Sequence, residues 1–124
     1  MPQILVTPLS RRNFNSSGLV IENLAPQRAA TISVAEDIGI DYIDLNAAST
    51  KYLNSIGLAN ATTYNLIPTD FTHLNPTGSV VFGAMVSWLM TTTTKAARDI
   101  EPYTKPNCTV VEDIEKGVYI YPVS

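Results

Sequence analysis

Short β-rich runs alternate with longer stretches of helical spacing along the first ninety residues. Gln3–Thr7 is apolar and β-rich and is closed by Pro8. Leu9–Gly18 is polar and rich in Arg, Asn and Ser, which predicts a loop, and Leu19-Val-Ile is a brief apolar return. Asn23 is a suitable N-cap. After it Ala25, Ala29, Ile32 and Ala35 recur at spacings of three or four, predicting an amphipathic helix over Leu24–Ile38 that Gly39 closes. Tyr42–Leu45 predicts a second strand. Strand, helix and strand in this order form a βαβ unit, whose strands run parallel.

The pattern continues with a helix capped by Asn46, carrying Ala48, Tyr52 and Ile56 on one face and ending at Gly57. Leu58–Thr72 is a long connection, and loops of that length in a compact domain are usually functional. Asn75 caps the next helix, with Pro76 at its first position. That helix runs to about Met90 and is apolar on nearly every side, so it needs covering all round. Two parallel strands and two other helices offer little cover, since parallel sheets are normally wider and packed on both faces. The expectation is half of a three-layer α/β domain over residues 1–90, with an uncovered helix face. Residues 91–124 read as a Thr91–Thr94 linker and a tail, in which Thr109–Val111 and Val118–Tyr121 could pair as a hairpin.

Composition narrows the classes. With 124 residues this is one domain at most, and 45% hydrophobic against 15% charged residues excludes a disordered chain. A net charge of −3 with no basic patch argues against nucleic acid as a partner. No apolar run reaches the roughly 18 residues of a membrane span. The N-terminal residues lack the basic n-region of a signal peptide and read as a strand already under way, so the natural beginning of the domain is expected upstream. Asn15, Asn60 and Asn107 open glycosylation sequons, against about two expected by chance at this composition, a mild pointer to secretion. Cys108 is the sole cysteine and is either free or missing a partner. No cofactor motif is present, and the oligomeric state is open.

Candidate chemistry gathers in Thr69–Gly78. His73 is the only histidine, so imidazole chemistry in this chain must use it. Asp70, three residues earlier, is within reach of one turn; a carboxylate there fixes the ring tautomer and stabilises imidazolium, as a general base requires. The bland alternative is a loop histidine bonded to a neighbouring carboxylate. One histidine, one cysteine and scattered carboxylates make no zinc or iron set, so no metal is expected. Arg11 and Arg12 could meet an acidic polysaccharide, or be solvated, or pair with Glu22. Asp41 and Asp44, at strand ends, read as capping groups. Phe82, Met85 and Trp88 follow helical spacing and read as core.

Asp70-Phe-Thr-His73 followed by Leu74-Asn-Pro-Thr-Gly78 resembles the last sequence block of the SGNH (GDSL-type) hydrolases. Val6-Thr-Pro-Leu-Ser-Arg-Arg12, Gly18-Leu-Val20 and Asp44-Leu45 are similar to the corresponding stretches of fungal rhamnogalacturonan acetylesterase-like carbohydrate esterases. The resemblance covers about Ile4–Leu89 and implies a partial flavodoxin-like fold, namely two parallel strands with three helices and a C-terminal extension. It also implies a secreted serine esterase acting on acetylated pectic polysaccharide, in which Asp70 orients His73 and His73 deprotonates a serine. The family's nucleophile lies in a Gly-Asp-Ser block that does not occur here, and the segments carrying its oxyanion-hole Gly and Asn are also absent. No serine of this chain is assigned to catalysis. Loss of a nucleophile can cost about six powers of ten in turnover, so the chain alone is expected to be inactive. The alternative is a catalytically dead remnant that binds pectic glycans through Arg11, Arg12 and the Tyr-rich tail.

Overall fold

The computed structural model describes residues 3–122. They form a mixed α/β fold of five α-helices and a two-stranded parallel sheet. Strand β1 (Ile4–Val6) pairs with β2 (Asp41–Ile43) in the register Ile4–Asp41, Leu5–Tyr42, Val6–Ile43, and helix α1 (Ala25–Ile38) connects them. The βαβ unit is thus present. Helix α1 starts one residue later than expected, behind Leu24 and with Pro26 in its first turn. Asn23 does not cap it; its Oδ1 accepts instead from Asn13 Nδ2 at 3.2 Å.

Helix α2 (Leu45–Ala61) is capped by Asp44, not by Asn46. Asp44 Oδ1 accepts from Ala47 N, while Asn46 Nδ2 turns back to donate to the carbonyl of Pro8 at 2.9 Å. The same carboxylate pairs with Arg28 of α1 at 2.6 Å. Burial opposes the ionised carboxyl, but the bonds from Arg28, Ala47 N and the Thr7 hydroxyl outweigh it and hold its pKa below the usual carboxylate range. Gly57 does not end α2. It kinks the helix at φ 82°, where a side chain would be strained, and the chain resumes helical turns to Ala61. A 3₁₀ turn over Thr62–Tyr64 follows, so the long connection is shorter than the sequence suggests.

Helix α3 (Pro76–Thr93) starts as expected, with Asn75 Oδ1 accepting from Gly78 N at 2.8 Å, but it runs past Met90. Thr91–Thr94 is no linker. Each of these hydroxyls donates to the carbonyl four residues back, so the threonines bond along the last turns of the helix. A short helix α4 (Ala97–Ile100) follows.

The hairpin is absent. Residues Cys108–Lys116 form helix α5, capped by Asn107 Oδ1, which accepts from Thr109 N and Val110 N, and closed by Gly117 in the left-handed conformation. Val110 and Ile114, four apart, are buried in the same core as Ile43, Tyr52, Phe82 and Met85. The tail therefore covers α3: α2, α4, α5 and β2 all pack on it. The expected open face shrinks to a stripe around Val80, which stays 41% exposed.

Candidate functional site

The dyad loop hangs between two turns of the chain. Asp70 N donates to the carbonyl of Ile67, closing a turn that points the carboxylate back along its own loop. Its Oδ1 accepts from the backbone N–H groups of Thr72 and His73, each at 2.9 Å, and Oδ2 lies 2.9 Å from His73 Nδ1. The backbone donors at His73 and Thr72 are the main reason that the carboxyl is held down to a pKa of about 2. An ionised carboxylate only accepts, so Nδ1 must carry the hydrogen. In the neutral ring that leaves the Nε2 lone pair free. The His73 side chain is 73% exposed, and Asp70 is its sole hydrogen-bond partner among the described residues.

Sequence expectation and structure agree on the proximity of Asp70 and His73. They diverge at the arginines. Arg12 is completely buried. Its backbone N donates to the carbonyl of Phe71 at 2.9 Å, its Nε to Asn65 Oδ1 at 2.6 Å and its Nη2 to the carbonyl of His73 at 2.7 Å. It is a brace beneath the dyad loop, beyond the reach of a polysaccharide, and the substrate contact expected of it is corrected accordingly. Burial lowers the pKa of this guanidinium, partly offset by the nearby Asp70 charge. Its Nη1, and Asn65 Nδ2, are buried without a partner among the described residues. Arg11 stays partly exposed and donates through Nε to Thr72 Oγ1 at 2.9 Å. No ion pair joins either arginine to Glu22 among the described residues.

Sequence reasoning also missed the platform on which the loop lies. Leu66 N donates to the carbonyl of His73 at 3.1 Å and Asn75 N to that of Tyr64 at 2.9 Å, with an isolated antiparallel bridge between Asn65 and Leu74. Gly78 is the one legible signal. A Cβ there would lie 2.9 Å from the Tyr64 carbonyl oxygen, so only glycine allows this approach.

Among the described residues no hydroxyl bonds to His73, and no three side chains of His, Cys, Asp or Glu gather as a metal site. A polar cleft of about 570 Å³ between Glu22, Arg28, Asn46 and Lys51 does not include the dyad in its walls. Neither does an apolar hollow of about 780 Å³ between Ile4, Met90, Ile100 and Tyr103. Of the sequon asparagines, Asn15 accepts from Ser17 N and Leu19 N in an exposed turn and Asn107 caps α5, whereas Asn60 Nδ2 donates to the Ile56 carbonyl inside α2. Cys108 is exposed at the start of α5. No described helix is long and apolar enough to cross a membrane. Comparison of the chain with protein-family models, curated proteins and solved structures finds no match.

Proposed function

We propose that Asp70 and His73 are the acid–base part of a Ser-His-Asp ester hydrolase of the SGNH type, and that the serine nucleophile and oxyanion donors come from outside these 124 residues. The observation that carries this reading is the carboxylate–imidazole pair at 2.9 Å, with its acceptor side turned outward. Asp70 holds the Nδ1–H tautomer. His73 Nε2 removes the proton of a serine hydroxyl as that oxygen attacks an acetyl carbonyl, then returns it to the departing sugar oxygen. Water repeats the cycle on the acyl-enzyme and releases acetate.

The parallel β1–β2 pair is read here as part of a wider flavodoxin-like sheet. The substrate class, acetylated pectic polysaccharide, and a secreted location follow from the motif resemblance. The in-frame sequence upstream of Met1 tests the proposal: a signal peptide and a Gly-Asp-Ser block support it, and clean noncoding sequence overturns it. The competing reading, a glycan-binding remnant, has lost Arg12 to the interior and rests on Arg11 and exposed tyrosines. Retardation of the protein in gels containing rhamnogalacturonan would favour it.

A further inference from the structure

Residues 118–121 carry no recognisable motif, yet their main chain is bonded to two buried side chains behind the dyad platform. Val118–Tyr121 lies across two buried tyrosines. Tyr52 Oη donates to the Val118 carbonyl at 3.0 Å and accepts from Ile120 N at 3.2 Å. Tyr64 Oη donates to the Ile120 carbonyl, and the Tyr64 ring stacks on Tyr121 with centroids 6.2 Å apart. Tyr119 Oη meets Thr63 Oγ1 at 3.0 Å. Burial raises the pKa of both buried phenols, so they remain protonated donors.

The other side of Tyr64 and Thr63 faces the dyad loop. Their carbonyls accept from Asn75 N at 2.9 Å and Asn75 Nδ2 at 2.7 Å, and Asn75 both follows the His73 loop and caps α3. The contact at Gly78 leaves the first turn of α3 no room to move toward Tyr64. His73 itself is tied through its ring only to Asp70, inside the same loop. Where that loop points is therefore set by the Arg12 brace and by the platform at Thr63–Leu66, and the platform is held from behind by the C-terminal strap.

We infer that the Val118–Tyr121 strap is a positioning element for the Asp70–His73 pair, acting through Tyr64 and Thr63. Its catalytic meaning rests on the proposed hydrolase reading, but the readout does not. Nuclear magnetic resonance of the full chain measures both the His73 ring signals and the exchange of the Leu66 and Asn75 amides. In Tyr64→Phe, which keeps the ring and the backbone and loses the strap bond, the two amides should exchange about tenfold faster and the His73 ring signals should shift. A chain ending at Gly117 should show at least the same change. Leu53→Ala, a fully buried core truncation, is the control for general destabilisation: it should leave the His73 ring signals in place. Unchanged His73 signals in Tyr64→Phe, or an equal shift in Leu53→Ala, would overturn the inference. Should the shortened chain fail to fold, Tyr64→Phe combined with Thr63→Val decides by the same criterion. An absence of esterase activity in a protein that also carries the upstream Gly-Asp-Ser block would count against the proposed reaction and leave this result standing.

Discussion

Helices α1 and α3 flank the same small sheet and are bound into the molecule very differently. Of the 14 residues of α1, Ala35 alone is buried, whereas α3 buries seven of 18. Helix α3 carries no charged residue and is enclosed by α2, α4, α5 and β2. Helix α1 lies on the outer face of the sheet, with Val34 and Ile38 exposed, and its clearest anchor is the Arg28–Asp44 pair. The core is thus one-sided. The dyad belongs to the well-packed side, because His73 lies two residues before Asn75, which caps α3 and bonds to the carbonyl of Tyr64, itself part of the core.

Substitutions sharpen this contrast. Phe82→Ala removes a buried ring that meets Tyr52 and Tyr64 edge-on, and should lower unfolding free energy by about 3–5 kcal/mol in denaturant titrations. Arg12→Ala should follow at about 3 kcal/mol, since it removes two charge-assisted bonds from the interior and leaves Asn65 and the His73 carbonyl with fewer partners. Arg28→Ala breaks a partly exposed ion pair and should cost below about 1 kcal/mol, shrinking further in high salt. Val34→Ala, on the outer side of α1, should stay within about 0.5 kcal/mol. Losses from Val34 or Arg28 that rivaled those from Phe82 would refute the one-sided core.

Asp70 gives a pH signature. Its folded pKa of about 2 lies below the ordinary carboxylate value of 3.8, so its contribution to stability is present above about pH 4 and fades as the pH falls through 2. In Asp70→Asn the acid limb of the stability curve should be flatter between those limits. An identical acid limb in the variant would mean that the backbone bonds to Asp70 do not persist in solution.

The dyad, the βαβ order and the start of α3 were legible because each rests on local chemistry: a carboxylate within one turn of an imidazole, short β-rich runs and period-3.6 runs, and Asn-Pro at a helix start. Helix α5 was misread as a hairpin because Thr109-Val-Val111 has strand propensity, while the deciding signals, the Asn107 cap and Gly117, flank it. The alternation in α1 correctly indicated a helix but overstated its burial, because a two-stranded sheet is too narrow to cover the predicted face. Arg11 and Arg12 are indistinguishable by composition and local context. Only tertiary geometry sends one inward to the His73 carbonyl and leaves the other at the surface. The cover of α3 by α4 and α5 was illegible for the same reason: nothing local in the tail announces what it packs against.

The most direct test is aryl acetate hydrolysis by this chain and by the chain joined to the in-frame sequence upstream of Met1, each compared with its His73→Ala variant. The 124-residue chain should show no turnover above background. The joined protein should show turnover that falls by up to about six powers of ten without His73. Turnover by the chain alone that depends on His73 would contradict the proposed function, as would a joined protein whose activity survives the loss of His73.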